Sequence, residues 1–321
     1  MILVVSGVTL TRIWIRLQAD SAPNPDTRSE VARAMPLPSE TGASLTFTIL
    51  GCGSSGGVPR VGQGWGACDP LNPRNRRRRC SMLVERVGPN GKTTVLVDTS
   101  PDLREQLIGE GVTHVDAVLY THEHADHTHG IDDLRPLAIH HRRRVEIYTD
   151  EHTSRMLHQR FGYCFTTPSG SAYPPILTEH RFREGREIVV EGAGGAVSAL
   201  PFRQRHGDID SFGFRFGDVA YSSDVNGFSE NSLAHLHNLD VWIIDALRET
   251  PHPSHFTLQE ALDHVALMKP KRAILTNLHT DLDYAVLQER LPEGIVPAYD
   301  GMRFESHIHS SATSADTAAG G

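Results

Sequence analysis

The densest group of residues that could do chemistry lies in the segment THEHADHTHG, directly after the apolar run AVLY. Four side chains of metal-ligand type stand there at close spacing: His122, His124, Asp126 and His127. On a turn that leaves a strand, the first two can point to one metal ion and the last two to a second ion beside it. Imidazole and carboxylate donors without thiolate suit zinc, manganese or iron. The alternative interpretation is a solvated, histidine-rich turn.

Further candidate ligands follow later apolar strands of the chain. They are His206 after VSALPFRQR, Asp224 after VAYSS and His279 after AILTNL. Each of them alone could be an ordinary residue of a surface loop. Because the ends of neighbouring strands meet at one edge of a sheet, their repeated occurrence in this position favours a shared site.

Short apolar runs alternate with helical patterns along most of the chain. LTFTIL, CSMLVERV and VDAVLYT are typical of strands, and the apolar spacing of PDLREQLIGEG and TLQEALDHVALMK predicts helices. This alternation predicts an α/β fold in one domain over residues 44–309. A polar, proline-containing extension over residues 1–43 and a low-complexity tail over residues 310–321 are both predicted to be disordered. Met35 offers an alternative start, so the sequence leaves open whether residues 1–43 belong to the native protein.

The composition excludes some classes of function. The 321 residues carry 31 Lys plus Arg against 39 Asp plus Glu, a formal net charge of −8, which disfavours broad electrostatic binding of nucleic acid. No run of about 18 apolar residues occurs, so the sequence predicts no membrane span and no membrane partner. The four cysteines show no C-x-x-C spacing, which is typical of a reducing cytoplasm, the predicted location.

The order H-x-H-x-D-H, then His, Asp and His, resembles the metallo-β-lactamase superfamily over about residues 45–307. The resemblance implies a four-layered αββα sandwich that holds two divalent metal ions, with zinc expected first and manganese or iron as alternatives. It assigns His122, His124 and His206 to one metal. It assigns Asp126, His127 and His279 to the other metal, with Asp224 bridging the two. Such a pair of metals makes a hydroxide at neutral pH and so supports hydrolysis.

Three segments resemble the phosphodiesterase branch of that superfamily, which includes phosphoribosyl cyclic phosphodiesterases and tRNA 3′-processing endonucleases. They are LGCGSSGGVP, VLVDTSPDLREQL and SHFTLQEAL. The last contains an H-x-T motif, which implies that His255 lies beside the metals and protonates the leaving alkoxide or steadies the phosphoryl oxygens. His255 and Asp126 are therefore the expected catalytic residues, although Thr257 could simply cap a helix. Asp98 and Asp245 also follow strands and are expected either to support the site or to cap strand ends.

The stretch GCGSSG matches the dinucleotide-binding pattern G-x-G-x-x-G. No helix is predicted to open within it, and no acidic residue follows about twenty positions later, so that interpretation fails. Ser54 and Ser55, with the loop amides, are instead predicted to contact a substrate phosphate. The branch's cysteine cluster is reduced to Cys68 and Cys80, so no structural zinc is expected. The run Arg76–Arg79 could bind phosphate or form a salt-bridged loop, and the sequence leaves its role open.

The leading hypothesis is a metal-dependent phosphodiesterase that acts on a small nucleotide or a cyclic ribose phosphate through metal-bound hydroxide. One alternative is a tRNA 3′-processing endoribonuclease, with RNA as the partner. Another is a non-enzymatic carrier, because TSPDLREQ also resembles a pyrroloquinoline quinone biosynthesis protein. A lactamase or thioesterase is less favoured. The natural substrate, the metal and the oligomeric state, a homodimer included, are left open.

Overall fold

The computed structural model describes residues 44–307 and builds them into two mixed β-sheets flanked by helices. In chain order the strands are β1 (Ser44–Gly51), β2 (Ser81–Gly88), β3 (Gly91–Val97), β4 (Ala117–Leu119), β5 (Val145–Thr149), β6 (Leu177–Arg181), β7 (Ile188–Val190), β8 (Val197–His206), β9 (Ile209–Phe216), β10 (Val219–Ser222), β11 (Val241–Asp245), β12 (Arg272–Thr276), β13 (Ile295–Pro297) and β14 (Met302–His307). The helices are α1 (Leu103–Gly109), α2 (Ala125–Thr128), α3 (Arg135–His141), α4 (Glu151–Phe165), α5 (Glu230–Ala234), α6 (Leu258–Met268) and α7 (Tyr284–Arg290). Short 3₁₀ turns occupy Pro73–Asn75 and Ile131–Leu134.

The two sheets follow the same plan. The first has the order β14-β1-β2-β3-β4-β5-β6, and the second has the order β13-β12-β11-β10-β9-β8-β7. The pairs from β14 to β3 and from β7 to β10 are antiparallel, whereas β3 to β6 and β10 to β13 are parallel. Parallel neighbours require crossover connections, and α1 to α7 lie in those connections.

The main core lies between the two sheets. Phe47 of β1 meets Phe216 of β9 edge-to-face at 5.9 Å and stacks on Phe304 of β14 at 5.1 Å. A second apolar cluster joins the outer face of one sheet to α6 and α7, and a third joins the other sheet to α1, α3 and α4. Sheet packed on sheet, with helices on both outer faces, confirms the predicted four-layered αββα sandwich.

The ends of the described chain meet in one strand pair. β1 and β14 are antiparallel neighbours, and their register places Ser44 opposite His307. The predicted extension over residues 1–43 and the whole predicted tail over residues 310–321 lie outside the described residues, so those boundaries stay predictions. Within residues 44–307 no helix is long and apolar enough to cross a membrane.

Candidate metal centre

Sharp turns directly after strands carry side chains over one edge of the sandwich. Asp98 follows β3, Asp224 lies two residues beyond β10, and Asn277 follows β12. Their φ angles are 61°, 53° and 61°, in the left-handed region that Asp and Asn tolerate better than most residues. This conformation turns the chain out of the strand direction, and the three side chains lie at the same edge.

The histidine-rich segment reaches that edge from β4. The strand ends at Leu119, and the following loop leads into α2, whose N-cap residue is His124. Asp126 and His127 then lie in the first turn of this helix. His122 and His127 are buried, whereas the side chain of Asp126 is partly exposed.

Imidazoles converge on the carboxylate of Asp224. The Nε2 atoms of His127, His206, His122 and His255 lie 3.1, 3.6, 3.8 and 3.8 Å from its nearer oxygens. Three overlapping groups have ligand atoms within 4.8 Å of one another: His122–His124–His206, His122–His127–Asp224 and His206–Asp224–His255. The structure thus brings five of the predicted site histidines and Asp224 together in one cluster. Asp126 lies at its margin, with Oδ2 3.5 Å from His127 Nε2.

A ring of hydrogen bonds behind the cluster fixes how the imidazoles face. His127 Nδ1 donates to Asp98 Oδ2 at 2.7 Å, and His206 Nδ1 donates to the carbonyl of Ser254 at 2.7 Å. Because these oxygens only accept, the proton of each ring lies on Nδ1 and the Nε2 lone pair points into the cluster.

His122 is oriented in the same way, through the hydroxyl group of Thr121. Thr121 Oγ1 donates to Asp98 Oδ2 at 2.8 Å, which leaves its oxygen free to accept from His122 Nδ1 at 3.0 Å. Asp98 also accepts the backbone N–H of Thr121 at 2.8 Å. The carboxylate that the sequence suggested as a support therefore holds two imidazoles in place.

The electrostatics of the cluster suit cation binding. Burial lowers the pKa of His122 and of His124, which favours the neutral, ligating form of both rings. Burial alone would raise the pKa of Asp224, but the imidazoles of His127 and His255 outweigh it and hold that pKa well below its usual value. A carboxylate anion beside the neutral imidazoles of His122 and His124 is a suitable site for a divalent cation.

Two buried nitrogens supply a direct test of that fit. The Nε2 atoms of His122 and His127 are shielded from solvent and make no hydrogen bond of suitable geometry among residues 44–307, and the nearest oxygen to His127 Nε2 is that of Asp224 at 3.1 Å. Buried polar atoms are rarely left unpartnered, because desolvation without compensation costs about 1–3 kcal/mol. A metal ion on these nitrogens removes that cost, so the donor set fits divalent metal binding.

His279 belongs to none of the three groups. Its Nε2 contacts the Nη1 of Arg60, and its Nδ1 lies 3.1 Å from Asp281 Oδ1. Its assignment as a metal ligand stays a prediction. The sequence did not point to Arg60, because Arg60 and His279 are 219 positions apart and no local pattern links them.

Asn277 was also overlooked, although its place directly after an apolar strand matches that of the nominated ligands. Its Nδ2 donates to Asp224 Oδ1 at 3.1 Å and lies 3.1 Å from His255 Nδ1. The side chain is buried. It therefore helps to fix the central carboxylate, through the same Oδ1 that His127 Nε2 approaches.

The glycine-rich loop after β1 packs against the backbone of the arginine run. A Cβ at Gly51 would lie 2.0 Å from the carbonyl oxygen of Arg79, so that glycine is required by close packing. Ser54 is buried with a hydroxyl that has no partner among the described residues, whereas Ser55 is exposed. Contact of either serine with substrate stays a prediction.

The arginine run is largely engaged within the fold. Arg77 is buried and donates to the carbonyls of His279 and Leu282 at 3.2 and 2.7 Å. Arg78 pairs with Asp300 at 2.9 Å, and Arg79 pairs with Asp102 at 2.7 Å. The exposed Arg76 lies 5.8 Å from the centre of the Trp65 ring. These contacts favour the structural alternative for the run.

Comparison with known proteins agrees with this architecture. A family model described as a β-lactamase superfamily domain matches residues 93–277, more than half of the chain. The chain belongs to this superfamily. This chain is similar to the solved structure of a diphosphatase of the PhnP family, with 35% sequence identity and a TM-score of 0.74. The match covers 83% of this chain and 98% of that chain.

Two further similarities are more distant or partial. The short form of human tRNase Z is 18% identical, with 81% of this chain and 98% of that chain covered and a TM-score of 0.53, which shows a shared fold alone. A protein named octanoyltransferase from Porphyromonas gingivalis is 31% identical over 280 residues, or 82% of this chain. This chain spans only 54% of that protein's length. The chain thus has the metallo-β-lactamase fold and is related to the PhnP-family diphosphatase.

Proposed function

We propose that the chain is a metal-dependent phosphodiesterase that acts on a small nucleotide or a cyclic ribose phosphate. The observation that carries the proposal is the placement of His255 beside the central carboxylate. His255 Nδ1 donates to Asp245 Oδ2 at 2.7 Å, and its Nε2 lies 3.8 Å from Asp224 Oδ2. A hydrogen-bond donor is thereby held at the cluster, where a leaving oxygen would need a proton.

Neighbouring elements fix His255 firmly. Thr257 caps α6, with its side chain accepting from the N–H of Glu260 at 3.1 Å while the Glu260 carboxylate accepts from the N–H of Thr257. Phe256 donates its N–H to the carbonyl of Val225 at 2.8 Å. The threonine of the H-x-T motif thus starts the helix, and the histidine lies two residues before it.

The protonation of His255 suits an acid role. Burial would lower the pKa of His255, but the carboxylates of Asp245 and Asp224 outweigh it and raise that pKa to about 9. Near neutral pH the Nε2–H can donate to a leaving alkoxide or hydrogen-bond to a phosphoryl oxygen. Asp245 keeps the ring in one tautomer and one orientation.

The residues that would hold two divalent ions follow the superfamily pattern. One set is His122, His124 and His206. The other is Asp126, His127 and His279, with Asp224 shared between the two. Bound divalent ions supply Lewis acidity and lower the pKa of water at the site. Zinc is the first candidate, with manganese or iron as alternatives.

A cleft of small-molecule size lies beside the metal loop, the segment of residues 120–128 that carries His122, His124, Asp126 and His127. Its volume is about 670 Å³, within the range of sites for small molecules. Phe212 lines it and donates its N–H to the carbonyl of Thr121 at 2.9 Å. His152 lines it as well, with Nε2 3.5 Å from Oε1 of Glu123 in the metal loop. The cleft adjoins this loop, and none of the clustered metal-ligand side chains lines it.

Hydrolysis of a diphosphate bond is the second candidate. It is favoured by the 35% identity to the PhnP-family diphosphatase, which extends over 98% of that protein's chain. Diphosphates and phosphodiesters both require activation of a phosphorus centre and protonation of a leaving oxygen. The same residues therefore serve either bond, and the substrate decides between the two candidates.

Acyl transfer through a thiol finds less support. All four cysteines are buried, and burial raises the pKa of each thiol, to about 12 for Cys164. A nucleophilic cysteine needs exposure and a lowered pKa. The RNA alternative also gains little, since most of Arg76–Arg79 is engaged within the fold.

The experiment uses the full chain loaded with Zn²⁺ or Mn²⁺ and a panel of four substrates. The panel holds a cyclic ribose phosphate, a cyclic nucleotide, a dinucleoside diphosphate and a precursor tRNA. We expect turnover of one or both small phosphodiesters. His255→Ala is expected to lose that turnover and keep its metal. His264→Ala is the matched control because His264 lies outside the cluster, where its Nδ1 donates to the carbonyl of Glu260 and its ring packs on Phe228 and Phe256.

Each other outcome has a meaning. Cleavage of the dinucleoside diphosphate alone would support the second candidate, and cleavage of precursor tRNA alone would support the endoribonuclease. No turnover by metal-replete protein on any member of the panel would contradict a phosphoryl hydrolase. Asp126→Ala separates an enzyme from a carrier, because an enzyme loses turnover while it stays folded and a carrier keeps its ligand.

A further inference from the structure

Arg60 reaches the metal edge from the glycine-rich loop after β1. Its Nη1 contacts His279 Nε2. Its backbone is fixed in a turn by hydrogen bonds of 2.8–3.2 Å with Gln63 and Gly64. A Cβ at Gly56 would lie 2.4 Å from Arg60 Nε, so the missing side chain at Gly56 makes room for the guanidinium. The loop thus holds the backbone still and directs the charged group to the site.

The charge of Arg60 is not compensated within the fold. No carboxylate of residues 44–307 lies within ion-pair distance of it, and its side chain is only partly exposed. The nearby arginines differ, because Arg78 and Arg79 each pair with an aspartate and Arg77 donates to carbonyls. Arg60 is therefore available for an anion that comes from outside the chain.

The present partner of Arg60 is a nitrogen lone pair. Asp281 Oδ1 only accepts and lies 3.1 Å from His279 Nδ1, so the ring proton is on Nδ1 and Nε2 faces Arg60 as an acceptor. The superfamily pattern assigns that same lone pair to a metal ion. A metal ion held by that nitrogen would leave the guanidinium of Arg60 without its acceptor.

We propose that Arg60 binds a non-bridging phosphoryl oxygen of the substrate at the metal-loaded site. This inference rests on the proposed function and extends it to the group that recognises the anion. A guanidinium presents a planar fork of donors that matches phosphate, and it stays charged at every working pH. Arg60 holds the phosphoryl group while His255 acts on the leaving oxygen.

The test compares Arg60→Gln with Arg144→Gln in the full, zinc-loaded chain. Arg144 is an exposed arginine just before β5, at the end of the strand opposite the metal loop. Binding of inorganic phosphate is measured by calorimetry, and zinc content by emission spectroscopy. We expect Arg60→Gln to weaken phosphate binding at least about tenfold with unchanged zinc content, since hydrogen bonds to charged groups are the stronger class. KM for a cyclic nucleotide should rise more than kcat falls, and Arg144→Gln should match the unchanged chain.

Gly56→Ala supplies a second variant that keeps the charge. The new methyl group displaces the guanidinium, so phosphate binding should weaken, though less than in Arg60→Gln. Unchanged phosphate affinity in both variants would overturn the proposal. Loss of zinc in Arg60→Gln, with unchanged phosphate affinity per zinc bound, would also overturn it by showing that Arg60 only supports His279. If phosphate binding depends on Arg60 but no phosphodiester is cleaved, the proposed function fails and this inference stands.

Discussion

Replacing Asp98 by asparagine tests how the metal loop is held. The buried carboxylate accepts the backbone N–H of Thr121 on Oδ1 at 2.8 Å. On Oδ2 it accepts the Thr121 hydroxyl at 2.8 Å and His127 Nδ1 at 2.7 Å. Asparagine keeps the shape of the side chain but offers one accepting oxygen, so one side of this network must fail.

Both orientations of the new amide are unfavourable. If its oxygen faces His127, the NH₂ group opposes the N–H of Thr121, and a buried donor without a partner costs about 1–3 kcal/mol. If its NH₂ group faces His127, Nδ1 must accept and the ring proton moves to Nε2, which then cannot bind a metal. Groups that orient metal-ligating histidines typically contribute about 10–100-fold in metal affinity. We therefore expect zinc affinity to fall by that factor, which corresponds to about 1.4–2.7 kcal/mol.

Competition with a chromophoric chelator measures the zinc affinity, and urea unfolding measures the stability. Asp116→Asn is the matched control. Asp116 is also buried and accepts from Thr94 N–H and from His114 Nε2, each at 2.8 Å, but it lies at the start of β4, away from the metal loop. This control should lose stability and keep zinc affinity. A folded Asp98→Asn chain that binds zinc as tightly as the unchanged chain would refute the reasoning.

Three further outcomes follow from the site and the core. Asp245→Asn should lower kcat by about 10²–10⁴ with little change in KM, because His255 loses the charge that keeps it protonated. Steady-state kinetics on the cleaved phosphodiester measure this change. An unchanged kcat would contradict the acid role of His255. Phe47→Ala should lower the free energy of unfolding by about 3–5 kcal/mol in urea titrations, since it empties the contact with Phe216 between the sheets; a loss below about 1 kcal/mol would show that this contact is dispensable. Removal of metal with a chelator should lower the melting temperature, and added Zn²⁺ should restore it, because the cations stabilise the buried Asp224 cluster only in the folded chain. Equal melting temperatures with and without metal would contradict metal binding at this cluster.

Much of the architecture was available from the sequence. The alternation of apolar runs with helical patterns predicted the α/β class, and the spacing from His122 to His127 indicated the superfamily and its layered sandwich. The segment IDDLRPLAIHH was predicted to be helical despite Pro136, and it forms the 3₁₀ turn Ile131–Leu134 followed by α3. Proline is accommodated because it lies in the first turn of α3, where its missing N–H has no partner to lose.

Other features have no local signature. The contact between Arg60 and His279 joins residues 219 positions apart. The buried Arg77 donates hydrogen bonds to the carbonyls of His279 and Leu282, which are 202 and 205 positions away. A run of arginines is typical of a charged surface, yet Arg77 of this run is buried in the fold. Asn277 resembles any polar residue after a strand until the second sheet places it against Asp224. The contacts of Arg60 and Arg77 depend on how the two sheets face each other, and that of Asn277 depends on the strand order within the second sheet. Periodicity along the chain encodes neither.

The pairing of β1 with β14 has a consequence for how this domain can be rebuilt. Residues directly opposite each other in an antiparallel pair have Cα atoms only about 4.5–5.5 Å apart, so a linker of a few residues can join His307 to Ser44. The chain can then be reopened between β6 and β7, the connection that leads from one sheet to the other. Such a circular permutant exchanges the order in which the two sheets are synthesised while it keeps every strand neighbour. Zinc binding by that permutant would show that the metal centre depends on the final packing of the sheets and not on the sequence in which they emerge.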